Sequence, residues 1–379
     1  MKIAVIHDWL DKYGGAERVI NSLDKIIKFD YFFAYADVMN DVDKRKMFNG
    51  RYPEIISSKI LKPLGGAFRF ALPLFPLVTR LFNKQSKNKT IDLIISSSWC
   101  LSKGFRSGNE KHVCYLQARN FKYIWDEYDN YFKGILGIIF LPFRKYLQNF
   151  DKKMSENPDF LISNSKFVQD WVEKHYKKQS VVIYPPVSLD SFVLRDSDIQ
   201  SSDYYVTVGR LVPYKRFDLL VQAFINLNKK LIIIGDGAES AALKKISAGY
   251  DNIIFKGFLQ AEEINHYISN AKAFVFSSLE DFGIAPVEAQ ACGTPVIAYG
   301  KGGVLETILE GKTGMFFYSQ SSKDIEDTVL EFENNIQNFD PVIIRQNAER
   351  FSKEVFENNI TSFLFQNNLI KEDNLKINN

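Results

Sequence analysis

Two carboxylates eight residues apart, Glu280 and Glu288, and two cations five apart, Arg210 and Lys215, are the residues of this 379-residue chain best placed to do chemistry. The carboxylates sit in Ser278-Leu-Glu-Asp-Phe-Gly-Ile-Ala-Pro-Val-Glu-Ala-Gln-Ala-Cys-Gly-Thr-Pro295, which reads as the end of a buried strand, a polar turn and a short helix. The apolar run 273–276 supplies the strand, Pro286 suits a first helical turn, and Gly293 with Thr294-Pro295 stops the helix. On this reading Glu280 lies on the loop at the strand's carboxyl end and Glu288 in the first turn. The backbone N–H groups of 282–287, Phe282, Gly283 and Ile284 among them, then point out of a positive dipole end. Pro286 alone has no N–H to offer. Such a place attracts an anion, above all a phosphate. Carboxylates on a turn and at a helix start are commonly caps; beside an anion site they make sense for a ligand that also carries hydroxyls, as a sugar nucleotide does.

Gly209-Arg210 ends another strand-like run, 204–208, and Lys215 follows. Arginine offers a fork of donors to phosphate oxygens and lysine a mobile point charge, a pair able to neutralise a departing diphosphate. Gly235-Asp236-Gly237, Gly257-Phe258 and Gly302-Gly303 also follow strand-like runs, where they serve either as tight turns or as the border of a nucleotide. Gly14-Gly15 sits between a short strand, 3–6, and a helix, 16–27, whose Val19, Leu23, Ile26 and Ile27 recur at helical spacing. These glycines do not form G-x-G-x-x-G, so a nicotinamide or flavin cofactor has no fingerprint here.

Positioning these residues takes two doubly wound α/β domains. Strands at 31–34, 55–57, 93–96, 113–115, 160–163 and 181–184 alternate with helices and predict a first parallel sheet; those at 204–208, 231–234, 253–255, 273–276, 296–298 and 315–317 predict a second. Pro185-Pro186 and the polar stretch 190–203 mark the boundary, giving domains 1–186 and 187–351. Ser165 caps a helix to about residue 175, and a last helix begins after Phe351.

Composition excludes several classes. A net charge of +3 is too mild for a nucleic-acid binder, and 46% hydrophobic with 25% charged residues describes a globular chain. Cys100, Cys114 and Cys292 are too few and too scattered for a disulfide framework or a zinc site and fit a reducing compartment. No signal peptide is visible, which points to the cytoplasm. Two stretches break the strand–helix rhythm: 59–89 and 131–153 mix apolar residues with lysines and arginines, a pattern that suits either packing on the sheet with a solvated outer face or contact with the inner face of an anionic membrane.

The E-x7-E spacing of Glu280 and Glu288 resembles that of retaining glycosyltransferases of family 4. The opening Met1-Lys-Ile-Ala-Val-Ile-His-Asp-Trp-Leu10, Gly14-Gly-Ala-Glu-Arg-Val19, Gly209-Arg-Leu-Val-Pro-Tyr-Lys-Arg216 and Ala298-Tyr-Gly-Lys-Gly-Gly303 resemble bacterial O-antigen and capsule mannosyltransferases of that family. The resemblance implies the GT-B fold: two Rossmann-like domains facing across a cleft, the nucleotide on the second, the final helix (about 352–379) returned to the first. It implies retention of configuration, no metal, and transfer of mannose from GDP-mannose to a glycan or glycolipid acceptor. It carries Arg210 and Lys215 onto the diphosphate, Glu288 onto the ribose, and Glu280 onto the transferred sugar. It puts the backbone of 282–284 against the donor; the expected donor site also takes in Gly14 and Gly15, where backbone can approach a ligand closely, and Gly257 and Phe258, on a strand-end loop suited to a base. Another UDP- or GDP-linked sugar, or a noncatalytic sugar-nucleotide binder, stays open. The chain departs from the subgroup in its first domain: Trp99 stands after Ser96-Ser-Ser98 where a histidine is expected, and 114–120 has no histidine before Tyr123-Ile-Trp-Asp126. Gln117 or Arg119 is the expected substitute.

Overall fold

The computed structural model describes residues 1–50, 52–128, 134–195 and 202–376. Lys133 of the second basic-apolar stretch, residues 196–201 of the boundary and residues 377–379 of the tail lie outside these. The chain forms two compact units, Met1–Pro186 with Glu354–Asn379, and Val187–Lys353.

In the first unit, strands β1 (Ile3–Leu10), β2 (Tyr31–Asp37), β3 (Ile55–Ser57), β4 (Leu93–Ser98), β5 (Lys111–Leu116), β6 (Phe160–Ser163) and β7 (Val181–Val182) form one sheet in the order β3-β2-β1-β4-β5-β6-β7. Every recorded pairing in it is parallel. Parallel strands are covered on both faces, which is why they read as unbroken apolar runs. Alternate residues of β1 show it. Ile3 and Val5 join one buried cluster with Val19, Leu23 and Ile27 of helix α1 (Gly15–Ile26) and its C-cap; Ala4 and Ile6 join the other. The first cluster also takes Phe356, Ile360, Phe363 and Leu364 from the last helix of the chain, Lys353–Gln366. The second is covered by a run of 3₁₀ turns, Lys62–Leu74, and by helices α3 (Phe75–Ser86) and α4 (Ile135–Met154); α2 is Asp41–Met47. Helix α5 (Lys166–Tyr176) starts at Ser165, whose hydroxyl accepts from the Val168 N–H.

A polar network lies inside this unit. Lys103 and Asp151 of α4 form a fully buried ion pair at 2.5 Å. Lys103 Nζ also donates to the Cys100 carbonyl, while Asp151 Oδ2 accepts from Trp125 Nε1 and Tyr176 Oη at 2.8 and 2.7 Å. The neighbouring hydrogen bonds are what make such a pair tolerable out of water.

The second unit repeats the design with β8 (Tyr205–Val208), β9 (Leu231–Ile234), β10 (Ile253–Gly257), β11 (Phe274–Phe276), β12 (Val296–Tyr299) and β13 (Gly314–Phe317), ordered β10-β9-β8-β11-β12-β13. Helices α6 (Phe217–Leu227), α7 (Ser240–Ile246), α8 (Ala261–Ser269), α9 (Ile284–Ala291), α10 (Val304–Thr307) and α11 (Ser322–Asn334) follow its strands. A further helix, α12 (Pro341–Glu349), was passed over in the sequence although Asp340-Pro341 announces it. The Asp340 carboxylate accepts from the Val342 N–H, and Pro341 occupies the first helical position. The last helix, Lys353–Gln366, is α13.

Two stability predictions follow from this interior. Burial holds the His112 imidazole at a pKa of about 3, its Nε2 2.8 Å from Ser96 Oγ. The unfolded imidazole protonates near about 6.5, so below that pH the unfolded state binds more protons. This part of the stability is complete above about pH 6.5 and is lost as pH falls toward the folded value. Thermal melts between neutral and mildly acid pH should show Tm falling, and His112→Gln should flatten that slope. Lys103→Met strands the Asp151 charge and should cost about 3–5 kcal/mol in urea unfolding.

Candidate functional site

In an open parallel sheet, ligands bind beyond the carboxyl ends of the strands where the strand order reverses. In the second unit that point lies between β8 and β11, which pair at Val206 and Phe274. Arg210 and Lys215 lie on the loop after β8, Glu280 on the loop after β11.

The structure brings Lys215 and Glu280 together: Nζ lies 3.0 Å from Oε1, both side chains being largely but not wholly buried. Three features set this geometry. Lys215 closes a 3₁₀ turn, Pro213–Lys215, and Arg216 after it takes a left-handed φ of 55°. The Ser277 hydroxyl at the end of β11 donates to the Lys215 carbonyl at 2.8 Å. The Glu280 carbonyl accepts from the Gly303 N–H at 2.9 Å. Arg216 spends its guanidinium on Asp218 through two 3.0 Å hydrogen bonds. Arg210 is exposed and makes no ion pair among the described residues.

Several glycines prove to be matters of chain packing. A Cβ on Gly235 would sit 1.9 Å from the Gly209 carbonyl oxygen, one on Gly237 2.3 Å from that of Leu211, and one on Gly303 2.3 Å from the Phe282 Cα. Backbone rests on backbone there, and hydrogen bonds link the loops: Gly209 N–H to the Ile234 carbonyl, Leu211 N–H to that of Asp236, Gly235 N–H to that of Gly257. Gly257 has φ +67° with nothing near its Cβ position. Phe258 beside it is 77% exposed, an uncovered aromatic ring.

Helix α9 opens at Gly283, whose φ of 91° only glycine adopts readily. Helix geometry leaves the N–H groups of Gly283, Ile284 and Ala285 without carbonyl partners in the helix. The sequence analysis put Glu288 in the first turn and counted Val287 among the free donors. With the helix beginning at Ile284, Glu288 falls on the second turn and Val287 enters the ladder. Glu288 lies one turn before Cys292, whose thiol is pushed up to about 12 by burial and, secondarily, by the Glu288 charge. The Phe282 side chain is buried edge-on against Phe351, so only its backbone can meet a ligand.

The first unit has its own polar edge at the reversal between β1 and β4. Gly14 caps α1, and its N–H donates to Glu17 Oε2 at 2.9 Å. Glu17 Oε1 lies 3.2 Å from His7 Nε2, His7 Nδ1 lies 2.9 Å from Ser97 Oγ, and Gln117 Nε2 donates to that oxygen at 2.9 Å. One arrangement of protons satisfies them all: Gln117 to Ser97, the Ser97 hydroxyl to Nδ1, Nε2–H to Glu17. This chain ties the Gly14-Gly15 turn to the ends of β4 and β5. His7 was not singled out in the sequence: the strand was read as 3–6, whereas β1 runs to Leu10 and holds His7 within it. Trp99 packs edge-on against the His7 ring at 4.8 Å. Asp8 holds the turn beneath, accepting from the N–H groups of Trp99, Cys100, Leu101 and Ser102, each at 2.6 Å. Arg119 is set apart from this cluster: it is buried, paired with Asp126 and Glu127 at 3.5 Å and stacked over Phe167. Of the two substitutes expected for the absent histidine, Gln117 alone belongs to the strand-end network.

Comparison with known proteins bears on what these edges serve. Residues 195–353 match the family model of Glycosyl transferases group 1. That stretch holds Arg210, Lys215, Gly257, Phe258, Glu280 and Glu288; Gly14 and Gly15 lie outside it. An uncharacterised glycosyltransferase of Methanocaldococcus jannaschii is 26% identical over 208 residues, 54% of this chain and 58% of its own. A GDP-mannose-dependent alpha-(1-6)-phosphatidylinositol monomannoside mannosyltransferase of Mycolicibacterium smegmatis is 33% identical over 125 residues, 29% of this chain and 33% of its own. The chain thus spans about half or less of the length of these relatives. The lipopolysaccharide outer core galactosyltransferase WaaB superposes with a TM-score of 0.71 at 19% identity, covering 97% of this chain and all of its own. The fold is GT-B.

If Gly303 is needed to seat the Glu280 loop, Gly303→Val should lower Tm by several degrees while leaving far-ultraviolet circular dichroism intact. Gly66→Val is the control: a Cβ there meets nothing within 4 Å, and Tm should hold.

Proposed function

We propose that the protein is a retaining glycosyltransferase that moves mannose from GDP-mannose to a lipid-linked glycan, working against the inner face of the cytoplasmic membrane. The observation that carries this is the 3.0 Å Lys215–Glu280 pair at the strand-order reversal, with Arg210 on the same loop and the Gly283 end of α9 beside Glu280. Arg210, Lys215 and the helix end bind the diphosphate. Glu280 takes hydroxyls of the transferred sugar, Glu288 those of the ribose, and the Phe258 ring and Gly257 border the base. The bond from the anomeric carbon to the diphosphate oxygen breaks, the acceptor oxygen bonds to that carbon on the same face, and the acceptor's proton passes to the diphosphate. Charge develops on the leaving group, and fixed cations stabilise it without a metal step. The mannose assignment is supported by the GDP-mannose dependence in the mycobacterial relative's name and by the resemblance of the opening and loop motifs.

Lys215→Met should keep the fold and lower turnover by about 10²–10³, the usual cost of removing one group that stabilises developing charge. Glu280→Ala should abolish transfer while GDP still raises Tm. A ligand at about a hundred times its Kd adds about 2.7 kcal/mol, a shift of several degrees. A rise with GDP and GDP-mannose but not UDP supports this reading. A rise with UDP alone replaces mannose with a UDP-linked sugar. Nucleotide binding without transfer by the wild type to any lipid-linked glycan makes the protein a binder.

A further inference from the structure

Helix α3 and its two cap residues, Leu74 and Lys87, carry three stripes. Phe75, Val78 and Phe82 face the core of the first unit. Leu74, Leu77 and Leu81 are exposed, the last two by 51% and 38%. Arg80, Lys84 and Lys87, spaced four and three apart, are exposed as well. The leucines and the cations both lie away from the core, so nothing in the unit accounts for the leucines. Beside them a cavity of about 940 Å³ opens between α3 and the loop 106–109, lined by Arg80, Lys84, Lys87 and Arg106 with Leu77 and Leu81. None of these four cations makes an ion pair among the described residues. Glu110, which follows that loop, is buried and turned onto the loop's backbone, accepting from the Ser107 and Gly108 N–H groups. Four unneutralised cations around one hollow form a strong anion site.

We propose that this cavity receives the phosphate-bearing headgroup of an anionic phospholipid, with Leu74, Leu77 and Leu81 entering the acyl boundary. Free phosphate would meet the cations but give the leucines no role; a bilayer engages both. Helix α4 covers the same core cluster of the first unit. It packs on the same face of the sheet as α3 and presents Ile135 and Ile138, each 73% exposed, beside Ile139, Leu141 and Phe143. The inference deepens the membrane part of the function above and rests on it, but not on the donor or the reaction.

The test is flotation of the full chain with vesicles of phosphatidylcholine alone and of phosphatidylcholine with phosphatidylglycerol. The wild type should bind the second and not the first, and lose binding as salt rises. The variant with Arg80, Lys84, Lys87 and Arg106 all changed to Gln should bind the anionic vesicles at least about 100-fold more weakly, each cation near an anionic surface being worth about a 5-fold change. Leu77→Ser with Leu81→Ser should also weaken binding while leaving its salt dependence. The Tm rise with GDP should be unchanged in both variants, which separates failure here from failure of the proposed activity. Equal binding to both vesicle types, binding by the quadruple variant like the wild type's, or displacement by inorganic phosphate at matched ionic strength would each overturn the proposal.

Discussion

Direct contact between the backbones of neighbouring strand-end loops is the constraint on which the polar edge of the second unit depends. No side chain separates Gly235 from the Gly209 carbonyl, Gly237 from that of Leu211, or Gly303 from Phe282. Loops packed this closely cannot slide, and their hydrogen bonds carry the register of the sheet beyond its strands. The Ser277 hydroxyl joins the two pairs of loops through the Lys215 carbonyl, and a lysine at the end of one loop and a glutamate on another are held at hydrogen-bonding distance although 65 residues separate them in sequence. Fixed charge of this kind needs no rearrangement when a ligand's own charge develops, which is where the advantage over mobile water lies.

The first unit reaches rigidity by another route. Its strand-end edge is tied by side chains, through Glu17, His7, Ser97 and Gln117, and its turn after β4 is gathered by one carboxylate, Asp8, onto four consecutive N–H groups. Below it the Lys103–Asp151 pair anchors α4, the helix that carries the exposed isoleucines. An amphipathic helix with so many uncovered apolar residues would have little reason to stay in place on hydrophobic contact alone. The buried ion pair and the indole and phenol hydrogen bonds to it supply directional anchors on the inner side.

The fold class was legible because parallel strands covered on both faces must be apolar throughout, and the glycine and proline punctuation between them survives in the sequence. Short-range chemistry was legible too: Ser165 caps α5 as its type and position require. What could not be read depended on three-dimensional neighbours. Nothing in the order of residues says that Gly235 and Gly303 exist for another loop's carbonyl or α-carbon, or that Arg119 is enclosed by Asp126, Glu127 and Phe167. His7 lay one residue past the strand as read, and only the longer β1 places it in the network. The shift of Glu288 from the first turn to the second came from the ambiguity of a helix start: Pro286 marks a first turn without fixing its first residue, and the left-handed Gly283 sets it at Ile284.

The connectivity of the two units has a consequence for how the protein is made. The second unit is an insertion: the chain leaves the first at Pro186 and returns after Lys353. Its two ends are stitched together, the Val187 N–H donating to the Phe351 carbonyl at 2.9 Å. On a ribosome the second unit can complete itself while the first is still waiting. The earlier unit lacks Phe356, Ile360, Phe363 and Leu364 of its main core until the final stretch emerges. Its opening segment then pairs with residues that follow α13: Ile27 bridges Leu375, and Asn374 donates to the Met1 carbonyl. Until that closure α1 covers only part of this apolar sheet face, so the interval between synthesis of β1 and of α13 is when a nascent-chain chaperone has most to protect.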